Sequence, residues 1–372
     1  MSEVTTPITN LLGLDRQGLV DFFATLGEKP FRARQVLQWI HQRGVTDFSL
    51  MTDLSQALRE RLGFVATIEA PRMIRESESA DGTVKWLLSE RGGSAIETVF
   101  IPETGRGTLC ISSQVGCMLN CTFCSTATQG FKRNLSADEI IGQVWFAVQR
   151  LKQLRGDDAK ITNVVFMGMG EPLLNLLAVK PSLAILRDDL AYGLASRRVT
   201  ISTAGVVPGI DQLIEGPEFA LAVSLHAPTD ELRERLVPLN RKYPIESLLA
   251  ACRRYVAHDK RRSITFEYTM IEGVNDQPQH ARGLRRILDG LPCKVNLIPF
   301  NPFPGTPFKP SDDATLYEFQ MAVRAAGIVT TIRKTRGDDI AAACGQLVGE
   351  LLSPSERRRI VQTQLAEQAL SA

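Results

Sequence analysis

Seven short apolar segments alternate with amphipathic stretches from residue 108 onward, and this alternation constrains the fold more than any other feature. The apolar segments are 108–113, 163–168, 198–203, 220–226, 264–270, 294–299 and 328–333. Amphipathic stretches such as 136–154, 243–257 and 278–289 lie between them. Strands separated by helices of this length pair as parallel neighbours through right-handed crossovers. The pattern predicts an α/β fold, and six or seven such units favour an incomplete or modified (β/α) barrel, with a doubly wound open sheet as the alternative.

The first hundred residues have a different pattern. Apolar residues repeat at helical spacing up to residue 62, which predicts a helical accessory domain. From residue 66 the period changes, and turn signals at Ala80-Asp81-Gly82 and Gly92-Gly93 predict a β-meander. The predicted organisation is therefore a helical domain at 1–62, a β linker at 63–100, an α/β core at 101–345 and a helical extension at 346–372.

The composition excludes several classes of protein. Hydrophobic residues are 44% and charged residues 23% of the chain, as in ordinary globular proteins. No apolar run reaches the roughly 18 residues of a membrane span, and no secretion signal is recognisable. Seven cysteines, three of them clustered, do not suggest a disulfide framework, which predicts a cytoplasmic protein. A net charge of +2 allows a nucleic-acid partner without requiring one.

Polar residues follow six of the predicted strands. They are the cysteine triplet at 117–124, the GMGEP segment at 168–172, Ser202, Ser224 with His226, Asn275 and Asn301. In parallel α/β folds the carboxyl ends of the strands share one rim, and active sites are built there. The coincidence of six strand ends predicts a single site on that rim.

The cysteine triplet is the strongest chemical signal on this rim. Cys117, Cys121 and Cys124 have C-x3-C-x2-C spacing. Three thiolates can hold an iron–sulfur cluster and leave one iron without a protein ligand, whereas four cysteines close the cluster. An open metal position is what catalysis needs. The alternative is a zinc site, which needs a second Cys or His pair, but the histidines at 41, 226, 258 and 280 are scattered.

The segment CMLNCTFC, with an aromatic residue before its last cysteine, resembles the signature of radical S-adenosylmethionine (SAM) enzymes. The resemblance implies a partial (β/α)6-type barrel in which the cysteine triplet holds a 4Fe–4S cluster and SAM chelates the fourth iron. It also implies that SAM is bound by residues after the other strands, namely Gly170, Glu171, Ser202, Ser224, Leu225, His226 and Asn301. Glycines let the backbone approach a ligand closely, and Glu171 would accept a hydrogen bond from the SAM ammonium group.

A closer resemblance covers nearly the whole chain. The chain is similar to the bacterial radical SAM RNA methyltransferases, specifically the dual-specificity adenine-C2 enzymes that act on ribosomal and transfer RNA. The matching segments are GEKPFRARQVLQWI, AIETVFIPE, GTLCISSQVGCMLNCTFCSTATQGFKRNLSADEI, FMGMGEPLLN, VTISTAGVVPGI, LAVSLHAP, NLIPFNPFPG and RKTRGDDIAAACGQL. The implied substrates are adenines in 23S rRNA at the peptidyl-transferase centre and in the tRNA anticodon loop. A monomer and an electron donor such as flavodoxin are also expected.

This closer resemblance gives roles to three residues outside the triplet. Cys344 would take a methyl group from one SAM, and a radical generated from a second SAM would activate that methyl group for addition to adenine C2. Cys110 would then attack the Cys344 sulfur, releasing the product and leaving a transient disulfide. Glu97 matches the proton acceptor of the family. Basic residues would contact the RNA backbone, namely Lys29, Arg32, Arg34, Arg333, Lys334 and Arg336.

Several functions stay open from the sequence alone. The related adenine-C8 methyltransferases have the same cluster and the same cysteine pair. A radical SAM enzyme with a non-RNA substrate is a second alternative, and it would have no need of Cys344 and Cys110. A non-enzymatic iron–sulfur carrier is a third, although carriers normally fill every iron position with protein ligands.

Overall fold

The computed structural model describes residues 8–91, 93–156, 160–259 and 261–349. Near its beginning three helices pack together, α1 (Arg16–Thr25), α2 (Phe31–His41) and α3 (Gln56–Val65). Two short strands, β1 (Thr9–Asn10) and β2 (Ala66–Thr67), pair in parallel beside them. The apolar faces of the helices meet in a core whose fully buried members include Leu19, Phe23, Leu37, Ile40 and Leu62. The helices expected before residue 62 are therefore present.

Twelve further strands follow in the part of the chain that the structure describes. They are β3 (Met73–Glu78), β4 (Val84–Ser89), β5 (Ala95–Glu103), β6 (Arg106–Cys110), β7 (Gln114–Gly116), β8 (Phe131–Asn134), β9 (Asn163–Phe166), β10 (Val199–Thr203), β11 (Ala220–Ser224), β12 (Ile264–Met270), β13 (Cys293–Pro299) and β14 (Val329–Ile332). Strands β7 and β8 form a separate hairpin, and the other ten form one sheet. Strands β3 to β6 are antiparallel, so the predicted β linker continues directly into the main sheet. Strand β5 itself runs across residues 100 and 101, where the sequence suggested a boundary.

Strands β6 and β9 to β14 are parallel, and they correspond to the seven predicted apolar segments. Each of them lies beside the next one along the chain. A doubly wound sheet would instead reverse its strand order at a switch point. Within the described part of the chain β6 and β14 are not neighbours. The arrangement is therefore a partial barrel, and the predicted fold class is confirmed.

In the described ranges, seven α-helices connect the parallel strands. They are α4 (Ala137–Arg155), α5 (Leu176–Arg187), α6 (Val207–Gln212), α7 (Asp230–Leu236), α8 (Ile245–Ala257), α9 (Pro278–Leu288) and α10 (Asp313–Arg324). The capping box at the start of α4 is present, with the Ser136 N–H donating to Glu139 Oε2 at 3.0 Å. None of the helices in the described ranges has the length and apolar character that crossing a membrane requires. The extension predicted at 346–372 lies outside the described residues from 350 onward.

Candidate active site

A cavity of about 160 Å³ opens at the carboxyl ends of the parallel strands. One water molecule needs only about 10–15 Å³, so this cavity can hold a larger ligand. Its wall contains most of the predicted site residues, namely Cys117, Cys121, Cys124, Gly170, Glu171, Ser202, Ser224, His226, Asn301 and Cys344. These residues come from segments that are far apart in the sequence. The fold therefore brings the strand ends to one cavity, as the rim argument predicted, except that Asn275 is not among the lining residues described. Cys344, which that argument did not include, lines the same cavity.

The β7–β8 hairpin positions the cysteine triplet. Its register pairs Gln114 with Asn134, and the Cys117 N–H donates to the carbonyl oxygen of Gly130 at 3.1 Å. The residues between the two strands form the loop that carries the three cysteines. Closing this loop at its base fixes where the thiols enter the cavity.

The donor set and its surroundings fit an iron–sulfur cluster. Burial raises the pKa of the Cys117 thiol to about 12, and it raises the pKa of the Cys121 and Cys124 thiols as well. Metal binding would displace these protons and hold the groups as thiolates. Among the described residues no group of His, Cys, Asp or Glu is arranged to hold a single metal ion. In a 4Fe–4S cluster each protein thiolate binds a different iron, so the ligands surround a shared space, and all three cysteines line this cavity.

The turn after β9 brings backbone and a carboxylate to the same cavity. Gly170 has a φ of +95°, and a Cβ atom there would lie 2.4 Å from Gln114 Cβ. Glu171 Oε2 accepts from the Ala204 N–H at 2.8 Å, and Oε1 accepts from the Leu173 N–H at 3.1 Å. Burial raises the pKa of the Glu171 carboxyl to about 7, although these two N–H groups oppose the shift. The carboxylate thus ties the β9 turn to the β10 turn while facing the cavity.

Replacing Gly170 with alanine should destabilise the protein by more than about 2 kcal/mol, because it adds a steric clash to an unfavourable backbone conformation. The free energy of unfolding in urea measures this loss. Gly193→Ala is a matched control, since Gly193 also has a positive φ but has no atom within 4 Å of the new Cβ. That variant should lose only about 1 kcal/mol. Equal losses in the two proteins would show that the close approach at Gly170 is unimportant.

His226 faces the cavity as a neutral ring. Its Nδ1 accepts from the Thr269 N–H at 2.9 Å, which leaves the proton on Nε2. Burial, assisted by the charge of Arg233, lowers the pKa of the imidazole to about 3. The ring packs edge-on against Phe123 with centroids 4.5 Å apart. His226 therefore connects the cysteine loop to the rim and has one N–H to donate to a ligand.

Ser202 and Ser224 line the cavity near the ends of β10 and β11. Leu225 does not line it, since its side chain is fully buried in the core. Its backbone N–H donates to the Glu267 carbonyl oxygen, and its own carbonyl oxygen accepts from Arg233 Nε at 3.1 Å. Of the residues predicted to bind SAM, Leu225 could therefore contribute only through its backbone.

Asn301 and the cysteine loop hold Cys344 in place. Asn301 Nδ2 donates to the Cys344 carbonyl oxygen at 3.0 Å, and Asn301 Oδ1 accepts from Thr335 Oγ1 at 3.3 Å. The Ser125 N–H donates to the Gly345 carbonyl oxygen at 2.7 Å. The Cys344 side chain is half-buried on the cavity wall. Asn301 thus positions a cysteine in addition to lining the cavity.

Cys110 and Cys344 both line a second, smaller cavity of about 20 Å³. Cys110 ends β6 and is buried, and Cys344 lines both cavities. Burial raises the pKa of the Cys110 thiol to about 12, an effect that Cys344 increases and Arg333 opposes. The structure therefore places the two cysteines predicted to form a transient disulfide along one internal space.

Two arginines that shape the site were not predicted as site residues. Arg333 lines both cavities, and the side-chain hydrogen bond described for it is a long one to Met167 Sδ at 3.9 Å. Arg333 follows the last strand, so the rim rule could have found it, but its basic neighbours suggested a surface instead. Arg233 donates to the carbonyl oxygens of Leu225, Ala204 and Ser224 from inside helix α7. No sequence signal marks it, because a buried helical arginine looks like an exposed one.

Glu97 does not line either cavity. Its carboxylate is buried in β5, where Oε1 lies 2.9 Å from Lys85 Nζ. Oε2 accepts from the Val348 N–H at 2.7 Å. Glu97 thus contacts the segment that carries Cys344 a few residues earlier, and its role as a proton acceptor stays a prediction.

The basic residues predicted to contact RNA differ in their surroundings. Lys29, Arg34 and Lys334 are exposed. Arg32 pairs with Glu28 at 3.4 Å, and Arg336 lies 3.7 Å from Asp81. The exposed members are thus better placed to meet a phosphate.

Comparison with known proteins supports the same interpretation for the N-terminal helices and for the barrel. Residues 9–68 match the family model described as the ribosomal RNA large subunit methyltransferase N-terminal domain, and residues 111–282 match the radical SAM superfamily. A crystal structure of a radical SAM methyltransferase from Sphaerobacter thermophilus aligns with a TM-score of 0.85 and 44% identity, covering 92% of this chain and 99% of that one. Enzymes of the superfamily use a 4Fe–4S cluster and SAM, and the cavity has the residues for both.

Two relatives are similar over almost their full lengths. The dual-specificity RNA methyltransferase RlmN of Marinobacter nauticus is 57% identical over 97% of this chain and 98% of its own. That of Alkalilimnicola ehrlichii is 56% identical over 96% of this chain and 98% of its own. Identity at this level over nearly the whole length establishes the family to which the chain belongs. The chain therefore belongs to the RlmN family of dual-specificity RNA methyltransferases, within the radical SAM superfamily.

Proposed function

We propose that this enzyme methylates C2 of adenine in 23S rRNA at the peptidyl-transferase centre and in the anticodon loop of tRNA, in the cytoplasm. The observation that carries the proposal is the placement of Cys344, which lines the cavity of the cysteine triplet and also shares an internal space with Cys110. An enzyme that passed a radical directly to a substrate would have no use for the pair formed by Cys110 and Cys344. The relatives named as dual-specificity RNA methyltransferases support RNA as the substrate.

The chemistry of adenine C2 explains why a carrier cysteine is needed. C2 is electron-poor and its hydrogen is not acidic, so a methyl cation donor alone does not alkylate it. The bound cluster and SAM supply one-electron chemistry, and an external protein such as flavodoxin is the proposed source of the electron. A carbon carried on a protein sulfur is close to the target before that chemistry begins, and such positioning lowers the barrier.

Cys344 would first act as a nucleophile. Its thiolate attacks the methyl carbon of SAM, the sulfur–methyl bond forms, and the leaving electron pair stays on the SAM sulfur. The hydrogen bond from Asn301 to the Cys344 carbonyl oxygen, with that from Ser125 to the Gly345 carbonyl oxygen, fixes the backbone on both sides of the reacting side chain. The methyl carbon would thus stay at the cavity wall, and a second SAM would be consumed in its transfer.

Cys110 would release the product. Once the methyl carbon is bonded to adenine, the Cys110 thiolate attacks the Cys344 sulfur. The disulfide forms as the sulfur–carbon bond breaks, and the carbon retains the electron pair and takes up a proton. Arg333 favours the Cys110 thiolate, because its positive charge opposes the effect of burial on the thiol pKa. Glu97 is the proposed acceptor of the C2 proton, through its place beside the Cys344 segment.

Mass spectrometry of digested RNA tests the proposed position of methylation. Unmodified tRNA and 23S rRNA fragments are incubated with the enzyme, SAM and a reductant, then digested to nucleosides and compared with synthetic standards. We expect 2-methyladenosine from both RNAs. Methylation at C8, as in the related enzymes, would disprove the proposed C2 chemistry. Product from only one of the two RNAs would remove the dual specificity.

A further inference from the structure

Beside the active site, helices α7 and α9 enclose an open cleft of about 600 Å³. We call it the α7–α9 cleft. Three arginine side chains line it, Arg235 from α7 and Arg282 and Arg286 from α9, and all three are exposed. Arg282 and Arg286 are four residues apart on one helix, so they lie on the same face about 6 Å apart along its axis. The cleft thus presents three positive charges to solvent in one place.

Among the residues described, these charges have no acidic partner, unlike several other surface arginines. Arg16, Arg91, Arg241, Arg254 and Arg261 each form a salt bridge with an aspartate or glutamate. No salt bridge involves Arg235, Arg282 or Arg286 within the residues that the structure describes. Like charges at this helical spacing destabilise a helix slightly. Glu231 is the one carboxylate among the lining residues described, so positive charge predominates.

The cleft adjoins the active-site cavity through shared loops. The segment after β11 places His226 on the cavity wall and, two residues later, Pro228 on the cleft wall. The cysteine loop is tied to the same helix, because the Thr122 N–H donates to the Leu236 carbonyl oxygen at 3.1 Å. Thr122 Oγ1 also donates to the Arg235 carbonyl oxygen at 3.3 Å. The loop after β11 thus contributes to both the cavity and the cleft, and helix α7 lines the cleft while contacting the cysteine loop.

We infer that the α7–α9 cleft binds the phosphodiester backbone of the substrate RNA beside the nucleotide whose base enters the cavity. The inference rests on the proposed function in taking RNA as the ligand. An adenine in a loop must leave its stack to be modified, and arginines on the flanking phosphates would hold the strand while it does so. Such contacts give affinity and orientation without reading sequence. Both classes of RNA could use them equally.

Binding measurements on Arg235→Gln, Arg282→Gln and Arg286→Gln test the inference. An unmodified tRNA transcript and an rRNA hairpin are titrated with the iron-loaded enzyme at several salt concentrations. Each variant should bind both RNAs roughly three- to tenfold more weakly at low salt, with the slope of log K against log salt reduced by about 0.7–0.9. Lysine at the same positions should restore most of the affinity, because it restores the charge. The KM for RNA should rise while kcat changes little.

Arg197→Gln is the matched control. Arg197 is exposed but precedes β10, at the end of the sheet opposite the cavity. Its loss should leave RNA binding unchanged, and iron content and unfolding midpoint should match the wild type in all four variants. Wild-type affinity and salt slope in the three cleft variants would overturn the inference. That result would not affect the proposed methylation, because the methylation is tested separately by mass spectrometry of the digested RNA product.

Discussion

Replacing Cys110 with alanine should stop the reaction after the methyl carbon has joined the RNA and leave the enzyme covalently bound to its substrate. Without the Cys110 thiolate nothing in the smaller cavity can attack the Cys344 sulfur, since Cys110 and Cys344 are its only cysteines among the lining residues described. Multiple-turnover methylation should fall by about a thousandfold or more, as when a covalent catalyst is removed from other enzymes. A denaturing gel should show an RNA–protein band, and peptide mapping should place the link at Cys344.

Two further variants make this result specific. Cys110→Ala combined with Cys344→Ala should form no covalent product, because the carrier itself is missing. Cys252→Ala removes another buried cysteine, one that lies in α8 and lines neither cavity, and it should keep full turnover. Free methylated RNA released over many turnovers by the Cys110→Ala enzyme would rule out the proposed release step.

The second large effect is expected at the cysteine triplet. Cys121→Ala removes one of the three thiolates available to the cluster, so iron and sulfide should fall to background and RNA methylation should become undetectable. Iron analysis and visible absorbance measure the first effect, and nucleoside analysis the second. Cys293→Ala is the control, because Cys293 begins β13 at the opposite end of the barrel from the cavity. A Cys121→Ala enzyme that retains its iron and its activity would refute the assignment of the triplet.

The alternation of apolar and amphipathic segments predicted all seven parallel strands, because burial on both faces makes such strands continuously hydrophobic. It could not separate a barrel from a doubly wound sheet, since strand order depends on hydrogen bonds between distant segments. Because strand pairing depends on distant segments, the sequence also did not reveal that β5, β6 and β9 pair with one another in order and extend the sheet into the predicted linker. Local patterns show which segments form strands but not which strands become neighbours.

The functional site, like the fold, could be predicted only in part, because some of its residues have local sequence signals and others are brought together by folding. The spacing of the triplet is a local signal, and strand ends located Ser202, Ser224, His226 and Asn301 at the cavity. Cys344 lies more than two hundred residues from Cys110, so only the resemblance to known enzymes paired them, and folding places both beside one space. The hydrogen bond from Asn301 to the Cys344 carbonyl oxygen was unpredictable, because it depends on how the final segment crosses the rim.

Intact-protein mass spectrometry tests the central claim, that Cys344 carries the methyl group, without requiring RNA in the assay. Enzyme isolated from growing cells should carry one added methyl group, and peptide sequencing should locate it on Cys344. The same group should be absent from Cys121→Ala, because its formation depends on SAM bound beside the cluster. An active wild-type enzyme whose Cys344 is never methylated, or a methyl group that persists without the cluster, would contradict the proposed mechanism.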